Sequence, residues 1–307
     1  MTFSDWVENT LSDVSNHGLR RGMRNSVYQL RLGLFRKYYN SFQRGEEESI
    51  FDREWDVMII LDACRCDLIE SVEDEYGFLT ENNRFRSRGT HSKEWMRRNF
   101  ISEHRDDLRK LAYVTGNIWT EEYVDPNDLR VLDEVWRYAW NTEHGTILPR
   151  SITERAIATH REHNPERLLV HYMQPHAPSI PDPIGEGMNT PETDGEWRAA
   201  PFLLQDGEVT RERLVESYKA NLRCVLDEVE LLLENVDAET VVVTADHGEA
   251  FGEFGVYEHP FGMPFDVLRT VPWYVTSATD KQTFEPTLEP GQEHGDTKEK
   301  LRALGYA

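Results

Sequence analysis

Cysteine is scarce, with only Cys64, Cys66 and Cys224 in 307 residues. Three cysteines build no disulfide framework, and none stand as a Cys-x-x-Cys metal pair, so a reducing cytoplasm is expected. Lysine is scarce too: Lys37, Lys93, Lys110, Lys219, Lys281, Lys298 and Lys300 are seven of the 34 basic residues. Against them stand 56 acids, for a net charge of −22. A field of that sign excludes nucleic acid as the main partner. An acidic, lysine-poor surface is also what high salt selects, because screening removes the repulsion between hydrated carboxylates, so a halophilic setting is expected. No run of 18 apolar residues is present, which excludes a membrane-spanning helix. No apolar stretch follows Met1 as in a secretory signal. The absence of any Gly-x-Ser-x-Gly elbow removes an esterase of the Ser-His-Asp kind.

What is present suffices for a folded core. Hydrophobic residues make up 38% and aromatics 11% of the chain, enough for one large α/β domain or two small ones. The charge is uneven. Residues 1–44 carry a net of +4, and Val14 to Arg44 contains no acid. There Leu19, Met23, Val27, Leu30, Leu34 and Tyr38 recur at steps of three or four, one face of a helix. Arg20, Arg21, Arg24, Arg31, Arg36 and Lys37 lie beside it. Such a basic amphipathic helix fits an anionic membrane surface through residues 18–44, or packs on its own acidic domain. The run Gly45-Glu46-Glu47-Glu48 reads as a boundary, dividing a helical extension (1–48) from a larger domain (49–307).

Beyond it the pattern is α/β. Asp56–Asp62, Leu111–Val114, Leu168–Tyr172 and Thr240–Asp246 read as buried strands, and Val271–Val275, with its proline, as an edge strand. Helical patterns fall near 94–100, 150–163, 211–235 and 297–304, and 177–210 reads as a long loop. Continuous apolar strands alternating with helices predict a mostly parallel sheet covered on both faces, an αβα sandwich. Ligands in such sheets bind beyond the carboxyl ends of the strands. Two strands deliver acids there: Asp62, followed by Ala-Cys-Arg-Cys-Asp, and Asp246, followed by His247-Gly-Glu. A carboxylate and an imidazole so placed suit a divalent metal, although an Asp at a strand–helix junction also serves as a plain helix cap. Gly248 lets the chain turn sharply. Trp95, Trp119, Trp136 and Trp140 are expected in the core, and His171 there as a satisfied strand histidine.

Thr244-Ala-Asp-His-Gly-Glu249, with Phe251-Gly-Glu253 and Glu258-His-Pro260, resembles the metal-binding segment of the sulfatase-like branch of the alkaline-phosphatase superfamily. Ile60-Leu-Asp-Ala-Cys-Arg65 resembles its first metal strand, His171-Tyr-Met-Gln-Pro-His-Ala-Pro178 its His-x-Pro segment, and Leu301-Arg-Ala-Leu-Gly-Tyr306 a common ending. The resemblance implies one divalent ion (Mn, Zn, Mg or Ca) on Asp62, Thr90, Asp246 and His247, and hydrolysis or transfer of a phosphate or sulfate ester of a small molecule, glycan or lipid. Thr90 stands four residues before Glu94-Trp95, the spacing of lipoteichoic-acid synthase-like phosphoglycerol transferases, and is the expected nucleophile. Ser92 is the runner-up, with helix capping as its plain role. His176 and His259 are expected on ester oxygens or the leaving group, and Arg65 on the substrate anion or paired with Asp67. No Cys-x-Pro-x-Arg or Ser-x-Pro-x-Arg segment is present, so formylglycine chemistry is not implied. A catalytically silent member that binds an anionic glycan or a partner is the alternative.

Overall fold

The computed structural model describes residues 18–42, 48–184, 200–291 and 300. Its strands are β1 (Val57–Leu61), β2 (Glu81–Arg86), β3 (Leu111–Thr115), β4 (Val131–Glu134), β5 (Trp140–Asn141), β6 (Thr146–Ile147), β7 (Arg167–Tyr172), β8 (Ala238–Thr244), β9 (Ala250–Phe251), β10 (Tyr257–Glu258) and β11 (Thr270–Ala278). The helices used below are α1 (Leu19–Phe42), α2 (Cys66–Glu70), α3 (Ser92–Asn99), α4 (Pro149–His163), α5 (Ala200–Asp206), α6 (Arg211–Leu233) and α7 (Asp266–Arg269). Seven strands form one sheet in the order β2-β11-β8-β1-β7-β3-β4, and β9-β10 and β5-β6 are separate two-stranded ribbons.

The five strands from β8 to β4 run parallel, and helices flank the sheet as expected for an αβα sandwich. Every residue of β1 is buried. Its Val-Met-Ile-Ile-Leu run shows no alternation because neither face meets water. Register then fixes the rim. Ile60 lies opposite Thr244 of β8 and His171 of β7, so the positions two residues on, Asp62 and Asp246, leave the sheet side by side.

The proline-containing strand is not at the edge. β11 runs antiparallel between β8 and β2, and β2 is the edge strand. The β8 ladder begins at Trp273, so Pro272 withholds no donor from β8. The polar sequence of β2, with only Phe85 buried, hides it from a search for apolar runs. Trp95, Trp119 and Trp136 are buried as expected, but Trp140 only partly. Part of the expected loop 177–210 is α5. Positions 45–47, 185–199, 297–299 and 301–307, hence most of the boundary run, the last helix and the Leu301–Tyr306 ending, lie outside the described residues.

α1 packs on the domain, but not through the expected stripe. Tyr28, Leu32 and Phe35 meet Val256, Met263, Phe265 and Leu268. Tyr28 donates to the Tyr257 carbonyl at 2.9 Å, and Arg36 Nε to that of Phe261 at 2.8 Å. Leu19, Met23, Val27, Leu30, Leu34 and Tyr38 remain exposed.

Candidate metal centre and ester site

Asp62 and Asp246 meet as the register requires. Asp62 Oδ2 accepts from Asn117 Nδ2 at 3.0 Å and from Ser92 Oγ at 3.4 Å. Asp246 Oδ1 accepts from the backbone N–H of Ala63 at 3.1 Å and of His247 at 2.9 Å. Ala63 adopts φ +60, which aims its N–H at Asp246. Each acid keeps its other oxygen, Asp62 Oδ1 and Asp246 Oδ2, buried without a hydrogen bond.

His247 completes the group. Its Nδ1 lies 2.9 Å from the Gly248 carbonyl, which can only accept, so this nitrogen holds the proton. Nε2 therefore turns its lone pair toward Asp246 Oδ2 at 3.3 Å and Asp62 Oδ1 at 3.6 Å. Three lone-pair atoms meet, all within 4.8 Å of one another. Two buried carboxylate oxygens without a hydrogen bond, facing an imidazole lone pair, fit a divalent cation, and the carboxylate–imidazole set suits Zn²⁺ or Mn²⁺. Burial, then the charges of Asp246 and Glu249, push the Asp62 carboxyl well above the usual range. Burial works on Asp246 as well, but His247 and His171 hold it below its ordinary value.

Of the two hydroxyls, Ser92 is at this point and Thr90 is not. Ser92 opens α3, with His91 as its cap, and its Oγ lies 3.3 Å from His247 Nε2. Thr90 Oγ1 instead donates to the Pro260 carbonyl at 2.9 Å and accepts from the Gly262 N–H at 2.9 Å, beside Glu94. It ties the 260–263 loop to the start of α3, so its expected place as metal ligand and nucleophile is corrected to a structural one.

Of its two expected places, Arg65 takes the pairing with Asp67. Its guanidinium is buried, forked onto Asp67 at 2.8 and 2.9 Å, and bonded to Glu253 and the Glu249 carbonyl. With its donors so engaged it braces the loop after β8 rather than facing a substrate. Gly248 is needed for close approach rather than a turn: a Cβ there would lie 2.1 Å from the Val267 carbonyl oxygen.

A second cluster adjoins the first. His176, Glu249 and His259 also bring ligand atoms within 4.8 Å, and His259 Nδ1 lies 3.0 Å from Glu249 Oε2. The His259 ring is 4.5 Å from that of His247 and 5.0 Å from that of His176. Burial pushes His176 and His259 down to about 4 and Glu249 up to about 7. Both histidines line a cavity of about 260 Å³ that Tyr28, Gln29, Leu32 and Arg36 of α1 also line.

Sequence reasoning missed three members of the site. Glu249 was in view, inside the Asp-His-Gly-Glu segment. His91, between the two hydroxyls, packs 5.1 Å from His259 and lines the cavity. His171 is not a satisfied core histidine. Its Nδ1 pairs with the Tyr113 hydroxyl at 2.9 Å, while Nε2 makes no hydrogen bond and lies 3.9 Å from Asp62 Oδ2 and 3.8 Å from Asp246 Oδ2.

The sequence model of the Sulfatase family matches residues 81–283. A search of curated proteins finds no match. Among solved structures, the integral membrane protein lipooligosaccharide phosphoethanolamine transferase A of Neisseria meningitidis is similar at 12% identity and a TM-score of 0.51, over 90% of this chain and 59% of that one. The soluble domain of that transferase is similar at 15% identity and a TM-score of 0.49, over 74% of this chain and 77% of that one. The lipoteichoic acid synthase LtaP of Listeria monocytogenes follows at 12% and 0.42, over 77% and 67%. At such identities the likeness is one of fold.

Proposed function

The chain belongs to the sulfatase family, with the alkaline-phosphatase fold, and on that premise we propose that it is a metal-dependent enzyme cleaving or transferring a phosphate or sulfate ester through a covalent intermediate on Ser92. The observation that carries this reading is the convergence of Asp62 Oδ1, Asp246 Oδ2 and His247 Nε2, with Ser92 Oγ 3.3 Å from His247 Nε2. Asp62, Asp246, His247 and Ser92 would hold one divalent ion. Bound there, the ion supplies positive charge that favours the serine alkoxide and the developing charge on the ester.

The residues of the chain do the rest. Ser92 Oγ gives its proton to Asp62 Oδ2, its acceptor at 3.4 Å, and attacks phosphorus or sulfur. The new O–P or O–S bond forms as the bond to the leaving oxygen breaks. His176 and His259, neutral in their buried setting, become cationic beside an anionic ester, because a nearby opposite charge favours the protonated form. Glu249 beside His259 supports that charge, and the leaving oxygen takes its proton from this pair. Water or an acceptor alcohol then gives its proton to the deprotonated His259–Glu249 pair and attacks the Ser92 ester; the bond from Ser92 Oγ to phosphorus or sulfur breaks, and Asp62 returns its proton to Oγ. The position of Ser92 at a helix N-terminus adds a stabilising dipole. A hydroxyl nucleophile without a formylglycine segment favours phosphoryl over sulfuryl transfer.

The test is a panel of nitrophenyl phosphomonoester, phosphodiester and sulfate substrates with added Mn²⁺, Zn²⁺, Mg²⁺ or Ca²⁺, followed by acid quench and peptide mass analysis. Turnover with a phosphoryl or sulfuryl group on Ser92 is expected. An adduct on Thr90, or metal-independent turnover, would refute the assignment.

A further inference from the structure

Among the described residues, the large apolar side chains that stand exposed gather around one feature. Leu19, Met23, Val27, Leu30, Leu34 and Tyr38 of α1 are 49–67% exposed, and the others, Phe254 and Phe261, sit in the loops that α1 packs against. Phe254 stacks on Phe265 at 4.6 Å, which in turn meets Phe35 of α1 at 4.8 Å. At about 100° per residue the α1 stripe lies on the side of the helix away from Tyr28, Leu32 and Phe35, which face the domain.

The charge of α1 says what suits this stripe. The helix holds Arg20, Arg21, Arg24, Arg31, Arg36 and Lys37 and no acid, in a chain of net −22. A second copy meeting stripe to stripe would bring two basic helices together. An anionic lipid surface satisfies both the charge and the apolar line. No helix among the described residues is long and apolar enough to cross a membrane.

We propose that α1 is a docking surface for an anionic lipid bilayer, its stripe in the interface and the cavity mouth held beside the headgroups. The helix also supplies Tyr28, Leu32 and Arg36 to the cavity that His176 and His259 line. Docking therefore places the cavity where an ester on a lipid headgroup can enter, a substrate class that rests on the catalytic reading above.

The test is sedimentation of the full chain with vesicles of phosphatidylglycerol and phosphatidylcholine, against vesicles of phosphatidylcholine alone. The wild type is expected to pellet with the anionic vesicles only. Leu30→Asp with Leu34→Asp should weaken partitioning by at least about 100-fold, through two lost apolar insertions. Leu30→Gln with Leu34→Gln, which keeps helix propensity, should weaken it in the same direction. Both variants should melt like the wild type and keep any turnover of soluble esters. A wild type that stays in solution, or variants that bind equally, overturns the proposal. So does a wild-type dimer that the substitutions convert to monomer, or a fall in melting temperature in both variants, which would mean that protein covers the stripe. Ser92→Ala is expected to bind vesicles like the wild type. Vesicle binding without ester cleavage by any form would leave the docking surface standing and remove only the substrate class.

Discussion

Ser92 Oγ and His247 Nε2 are 3.3 Å apart, across 155 residues of sequence, at the point where two buried carboxylates expose unbonded oxygens. Ser92→Ala is therefore expected to lower kcat/KM by at least about a thousandfold. Thr90→Val should act differently. It leaves the Pro260 carbonyl without the Thr90 hydroxyl and the Gly262 N–H with only its longer bond to Glu94, at a cost of about 1–3 kcal/mol in urea unfolding, with only a modest loss of turnover. Equal losses of turnover in both variants would contradict the assignment.

Metal binding should stabilise the fold. An ion that binds only the native state adds about 2.7 kcal/mol at a hundred times its Kd. A rise in Tm with Mn²⁺ or Zn²⁺ is expected in the wild type and absent in Asp246→Asn. Asn keeps the Oδ1 bonds to Ala63 and His247, so this variant should still unfold cooperatively without metal. A full metal response in Asp246→Asn would place the ion elsewhere.

Tyr113 holds the His171 ring between the two carboxylates. Removing a group that orients a metal site costs about 10–100-fold in affinity. Tyr113→Phe is expected to shift the metal dependence of Tm to higher concentration within that range. An unchanged titration would make His171 a bystander.

Arg65 couples α2 and the segment after β8 to pH. Burial alone would raise Asp67 and Glu253, but the Arg65 guanidinium holds both below their ordinary values. A depressed carboxylate contributes stability above its unfolded pKa, about 4, and loses it as pH falls through the lower folded value. The Tm difference between the wild type and Arg65→Met should be full near neutrality and shrink below about pH 4. A difference that grows on acidification would reverse the sign of this coupling.

Asp62 and Asp246 could be read from the chain because each ends an unbroken apolar run, and parallel strands in register must bring such ends to one rim. The basic helix and its stripe were legible for a similar reason: a period of 3.6 is a property of local sequence. Other features depended on distant partners. Which of two hydroxyls two residues apart faces Asp62, Asp246 and His247 was settled by the 260–263 loop, which arrives 170 residues later and captures Thr90. In a strand buried on both faces no alternation marks the side that a residue serves, so His171 read as core until Tyr113 and the two aspartates were seen around it. The guanidinium of Arg65 could equally have met a substrate, and Glu253, 188 residues away, helped turn it into a brace. The helix α1 has one face for the cavity and another for the surroundings. Periodicity displayed the outer one, while the inner one is defined by contacts with a ribbon more than 200 residues downstream.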